Sequence, residues 1–188
     1  MTAEELREEI AIELENIETV LRELSILHED AKGREVSVRE KTAASAFLAQ
    51  FYNGIENILK RISRYSNVPL PSGEIWHVEL FRRFCAPSFP SLPVLFDESL
   101  SSGLAPYRKF RHVVHHGYGF QLDWERMAEG IEHVDGIHQR LKKGSKIIWS
   151  LFDLISQLSG IDTNIILDVL RRGGGATFYS PGMQANYA

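Results

Sequence analysis

The sequence predicts an all-α fold, an up-and-down bundle of about five helices. Apolar residues recur at spacings of three and four along most of the chain, which is the period of an amphipathic helix. No segment shows the strict alternation of a half-buried strand, and prolines and glycines separate the periodic segments. We expect one helical domain over residues 1–160, followed by a flexible C-terminal extension over residues 161–188, where the chain becomes glycine-rich and loses its periodicity.

The first two predicted helices are long and form the start of the bundle. The first covers residues 3–30 with a single apolar stripe, and the glycine of "AKGRE" ends it. The second runs from Ser37 to Tyr65, with Ser37 as N-cap and Glu40 in position to complete a capping box.

The middle of the chain predicts two shorter helices. A third helix covers about Glu74 to Phe84, and a proline-rich loop follows at residues 86–93. The fourth ends at His116 and begins at either Asp97 or Tyr107, because Pro106 could occupy a first helical turn. Gly117 is expected to close this helix in the left-handed conformation.

The last predicted helix extends from Trp124 to Ser159, with Asp123 as its N-cap. An apolar stripe along this segment completes the bundle.

Composition narrows the class of protein. The lone cysteine, Cys85, excludes an internal disulfide and a cysteine-based zinc site. No apolar run reaches the ~18–20 residues that span a bilayer, and the acidic N-terminal segment does not resemble a signal peptide. We therefore expect a cytoplasmic protein without a membrane segment. Residues 36–148 carry more basic than acidic side chains, so the acidic total does not exclude a polyanionic ligand.

One stretch, "YRKFRHVVHHGYGF", concentrates the chemistry. Arginine matches phosphate oxygens with a planar fork of donors, and histidine exchanges protons near neutral pH. Arg111 and His116 together could cleave RNA, whose own 2′-hydroxyl is the nucleophile. Two other interpretations stay open: a solvated helix end, or a metal site that uses His112 and His116 at i, i+4.

The same stretch resembles the HEPN superfamily. Arg111, His112, His116 and Tyr118 fit the pattern R-x4-H-x-Y with a polar residue after the arginine, and the tyrosine is typical of HepT-type toxins. The order of long helices, with the motif ending the fourth, is also similar over residues 3–158. The superfamily often places a polar residue of the second helix near the motif, for which Glu56 and Asn57 are candidates.

This resemblance implies a function. Arg111 and His116 would be the catalytic pair of a metal-independent endoribonuclease that needs no cofactor, and His112 would orient the site. A homodimer would bring two motifs to one cleft. The antitoxin would be an MNT-type nucleotidyltransferase that neutralises the toxin by AMPylation of Tyr118.

Two further expectations accompany that function. Arg108 and Lys109, one turn from the motif, would bind RNA phosphates. The alternative function is a non-catalytic helical adaptor, or a nucleotide-binding partner of the nucleotidyltransferase.

Overall fold

The computed structural model describes residues 1–87, 89–117 and 122–157, except the side chains of His116 and of residues 145–157. The predicted extension over 161–188 and the expected end of the last helix at Ser159 lie outside these residues. The described part holds five α-helices and no strand, which confirms the all-α prediction. The helices are α1 (Ala3–Ala31), α2 (Val38–Tyr65), α3 (Trp76–Arg82), α4 (Glu98–His116) and α5 (Trp124–Gln157).

Helix α1 lies antiparallel to α2, because polar contacts further along α2 meet residues earlier in α1. Asn57 donates to Glu13 at 3.0 Å, and one turn later Arg61 contacts Glu9 at 3.1 Å. The predicted capping box at the start of α2 is confirmed. The backbone N–H of Ser37 donates to the Glu40 carboxylate, and the backbone N–H of Glu40 donates to the Ser37 hydroxyl. Between the helices Gly33 adopts a φ of 73°, a conformation that favours glycine.

Helix α5 packs antiparallel to both α1 and α4. Its Lys142 contacts Glu18 of α1, while Arg140 reaches Asp97 at 3.0 Å at the start of α4. Tyr107 of α4 donates to the carbonyl of Gly130 at 2.7 Å. The result is the predicted up-and-down bundle, with α3 as a short addition beside α2.

One continuous apolar core fills the space between the helices. Its largest fully buried side chains are four aromatic residues of α2 and of the segment between α3 and α4: Phe51, Tyr52, Phe84 and Phe96. Fully buried leucines and isoleucines of α1, α2, α3 and α4 surround them. No helix in the described part of the chain is long and apolar enough to cross a membrane.

The bounds of α3 and the start of α4 differ from, or decide between, the predicted ones. Helix α3 is shorter than expected, since the turn around Gly73 (φ 87°) precedes it and turns follow directly after Arg82. Helix α4 starts at Glu98 with Asp97 as N-cap, whose carboxylate accepts from Leu100 N at 2.6 Å. Pro106 therefore lies inside the helix, at an exposed position, although proline has no N–H to donate to the preceding turn.

The expectation for Gly117 is wrong. Its backbone is extended, with φ −129° and ψ 175°, and is not in the left-handed region. Glycine is still required there, because an added Cβ would lie 2.9 Å from the carbonyl oxygen of Val113. The backbone at Gly117 thus lies close to the carbonyl group of Val113 in the last turn of α4.

Candidate functional site

All the predicted site residues except Tyr118 lie on the last three turns of α4. Arg108 and Arg111 are half-buried, whereas Lys109 and His112 are exposed. The backbone of His116 ends the helix, and its side chain is outside the described part of the structure. The predicted modification site, Tyr118, also lies outside the described residues.

Two side chains of α2 hold the guanidinium of Arg111. Its Nε donates to Asn53 Oδ1, and its Nη2 lies 3.3 Å from Glu56 Oε2. Asn53 and Glu56 are three residues apart and share one face of α2. Among the described residues, these polar contacts use Nε and Nη2 of the guanidinium but not Nη1, so the protein orients the arginine and leaves Nη1 as a donor for an anion.

The carboxylate of this pair is deeply buried. Glu56 is 1 % exposed, and burial raises its pKa while the charge of Arg111 opposes that shift. Glu56 Oε1 and the hydroxyl of Tyr52, one turn earlier, have no hydrogen-bond partner among the described residues. Burial, and next the charge of Glu56, raise the pKa of Tyr52. Arg111 is therefore paired with a carboxylate that lies away from water, where the attraction between the two charges is weakly screened.

Helix α3 adds the aromatic ring of Trp76 to the site. The guanidinium carbon of Arg111 lies 5.9 Å from the centroid of the Trp76 ring, and Lys60 Nζ lies 4.7 Å from the same ring. Trp76 is partly buried against the core, yet both cations contact its ring. Burial lowers the pKa of Lys60, and Glu56 opposes that shift.

His77 is the second contribution of α3. Its ring stacks on that of His112, with centroids 6.2 Å apart and planes 18° from parallel. Burial lowers the pKa of His77, and the positive charge of Arg111 lowers it further. An imidazole from α3 thus lies beside the motif helix, although His77 precedes His112 by 35 positions in the sequence.

The two residues predicted to bind RNA differ in their surroundings. The guanidinium carbon of Arg108 lies 5.0 Å from the centroid of Phe81 on α3, so part of its side chain packs on the protein. Lys109 is exposed one turn before His112. Among the described residues, no group of three or more His, Cys, Asp or Glu side chains is arranged to hold a metal ion.

Sequence reasoning anticipated part of this arrangement. Of the two candidates on α2, Glu56 contacts Arg111, but Asn57 turns to Glu13 of α1. Asn53 and His77 were missed. Asn53 offered one signal, a polar residue one turn before Glu56, whereas His77 had no spacing that linked it to the motif.

A family model described as "HepT-like protein" matches residues 43–147. This range begins early in α2 and includes α3, all of α4 and most of α5, so it contains Asn53, Glu56 and Arg111. Searches among curated proteins and among solved structures found no match. The matched segment exceeds half of the 188 residues, and it agrees with the resemblance seen in the motif. The chain therefore belongs to the HepT-like family of HEPN proteins.

Proposed function

We propose that this protein is the toxin of a HEPN/MNT toxin–antitoxin pair, a metal-independent endoribonuclease. The observation that carries the proposal is the orientation of Arg111 by Asn53 and the buried Glu56, at the motif end of α4 in a HepT-like chain. An arginine held in this way is already in position to bind a phosphate, so binding loses little conformational entropy of its side chain.

Arg111 would bind the scissile phosphate and stabilise the charge that gathers on its oxygens during cleavage. The 2′-hydroxyl of RNA attacks the adjacent phosphorus, and the 5′-oxygen leaves, giving a 2′,3′-cyclic phosphate and a 5′-hydroxyl. His116 would exchange a proton with one of these two oxygens. His112, next to Arg111 in sequence, would help orient the site.

Binding of the RNA backbone would extend along the same helix. Arg108 and Lys109 precede the motif by one turn and supply two positive charges beside Arg111. A homodimer would place two such helices at one cleft, as the family resemblance implies.

Control of this activity would act on Tyr118. An MNT-type nucleotidyltransferase would transfer AMP from ATP to its hydroxyl, releasing pyrophosphate. The added phosphodiester would place negative charge two residues from His116, where it competes for Arg111 and repels RNA.

The experiment measures cleavage of a labelled RNA by the purified protein in the presence of EDTA. We expect Arg111→Lys and His116→Ala each to reduce the rate at least about 100-fold, because each removes a group that acts in the transition state. Lysine at 111 keeps a positive charge opposite Glu56 but loses the planar fork. Arg126→Lys is the matched control, since Arg126 is exposed on α5.

Several results would contradict the proposal. Wild-type rates in either motif variant would exclude the catalytic assignment, and loss of activity in EDTA with recovery on adding zinc would favour a metal site. A wild-type protein that binds the nucleotidyltransferase but cleaves no RNA would support the adaptor function. For Tyr118, co-expression with the nucleotidyltransferase should add AMP-sized mass to the wild type but not to Tyr118→Phe.

A further inference from the structure

RNA cleavage of the proposed kind requires two proton transfers. The 2′-hydroxyl must lose a proton and the 5′-oxygen must gain one. Arg111 cannot supply either transfer, because its guanidinium stays protonated. Within one chain His116 can perform one of them, so the second transfer falls either to the motif of the partner chain in the expected homodimer or to another residue of the same chain.

His77 occupies a suitable position for the second transfer. It is half-buried on α3 and stacks on His112, one residue beyond Arg111. Its neighbour Trp76 contacts the guanidinium of Arg111 from the same short helix. Of the imidazoles in the described residues, His77 is the one that a separate helix brings against the motif.

We propose that His77 is the general base of this site and takes the proton from the 2′-hydroxyl, within the same chain that supplies Arg111. This inference rests on the proposed ribonuclease function and deepens it. It assigns a role to a residue that lies outside the R-x4-H-x-Y motif.

The surroundings of His77 favour the base over the acid. Arg108, Arg111 and His112 face it from α4, and burial together with these charges lowers its pKa below the ordinary value of 6.5. His77 is therefore neutral at pH 7 and able to accept a proton. We therefore assign the role of the acid to His116, the last residue of α4.

The reaction then divides between the two histidines. A ring nitrogen of His77 takes the proton of the 2′-hydroxyl while the 2′-oxygen forms a bond to phosphorus. The bond from phosphorus to the 5′-oxygen breaks, and His116 donates a proton to that oxygen. Both imidazoles return to their starting states when they exchange one proton with water.

The test compares two RNA substrates, one normal and one with sulfur in place of the scissile 5′-oxygen. A thiolate leaves without receiving a proton, so this substrate makes the general acid dispensable but still needs the base. We expect His77→Gln to slow cleavage of both substrates at least about 100-fold, and His116→Gln to slow only the normal RNA. His133→Gln, at an exposed histidine of α5, is the matched control and should cleave both at the wild-type rate.

The pH profile gives a second measurement. With the sulfur substrate, the wild-type rate should increase with pH until His77 has lost its proton and then stay level. His77→Gln should lose that increase. His77→Ala, checked by circular dichroism for unchanged helix content, guards against a defect specific to glutamine.

Three outcomes would overturn the assignment. His77 variants that cleave both RNAs within about threefold of wild type would show that His77 transfers no proton. A defect that disappears with the sulfur substrate would make His77 the acid. An unchanged pH profile in a slow variant would indicate a structural role. If the wild type itself cleaves neither RNA, the proposed ribonuclease function fails first, and that result differs from all three.

Discussion

Replacing Arg111 by alanine removes the cation that faces a buried carboxylate. Glu56 is 1 % exposed, and its Oε2 lies 3.3 Å from Arg111 Nη2. Removing one partner of a fully buried ion pair costs about 3–5 kcal/mol, because the other charge remains without compensation. The Arg111 side chain is 17 % exposed, and Lys60 still acts on Glu56, so we expect about 3 kcal/mol of unfolding free energy to be lost at pH 7.

The loss should depend on pH in a defined direction. Burial already raises the pKa of Glu56 above its ordinary value of 4.5, and Arg111 opposes that shift. Without Arg111 the folded protein holds a proton that the unfolded chain has released. Its unfolding free energy therefore decreases as the pH rises from about 4.5 through the raised pKa. Arg111→Ala should be closer to wild type at pH 5 than at pH 7.5.

Urea denaturation followed by circular dichroism measures these differences. The set comprises the wild type, Arg111→Ala, Glu56→Gln and the double variant at both pH values. The double variant should recover about 2 kcal/mol at pH 7, since the neutral amide needs no cation. A loss below about 1 kcal/mol in Arg111→Ala, or no recovery in the double variant, would refute the reasoning. Because Arg111→Ala is expected to lose stability, Arg111→Lys, which keeps a charge opposite Glu56, is the better variant for measuring the catalytic role of Arg111.

Two further predictions concern other parts of the bundle. Gly54→Ala should destabilise the protein by about 1–3 kcal/mol in urea denaturation, because the new Cβ would lie 2.6 Å from Ile17 Cγ1. Gly136→Ala should instead stabilise the protein, because its new Cβ would lie in open space. Equal effects of the two substitutions would contradict the packing argument. His138 is 1 % exposed, and burial lowers its pKa below 6.5 although Glu18 lies 3.7 Å away. The unfolded chain thus binds the extra proton first, so stability should fall as the pH decreases from 7.5 to 5.5, and His138→Leu should lose less than wild type over that interval. Identical losses in the two proteins would show that His138 does not contribute.

Local patterns in the chain were sufficient to predict the five helices, although they did not fix the bounds of α3 or the start of α4. Periodicity located α1, α2 and the start of α5, and the capping box of Ser37 and Glu40 marked the beginning of α2 correctly. These features depend on residues within one or two turns of each other, which is the range that sequence spacing can show. Gly117 marks the limit of such reasoning. A glycine after a helix suggests a left-handed cap, but the close passage over the Val113 carbonyl decided its conformation.

The surroundings of the motif depended on packing between helices. Glu56 and Asn57 are adjacent, so their side chains point about 100° apart on α2. Only the positions of α1 and α4 decide which of them meets Arg111.

The sequence alone thus predicted the fold class and the family, and it singled out Arg111 as the residue on which the predicted site depends. The tertiary structure decided which residues surround that cation: Asn53 and Glu56 from α2, and Trp76 and His77 from α3. The physical reason is that amphipathic faces specify burial but not partners. Which polar side chain of one buried face meets a charge on another is determined when the helices pack.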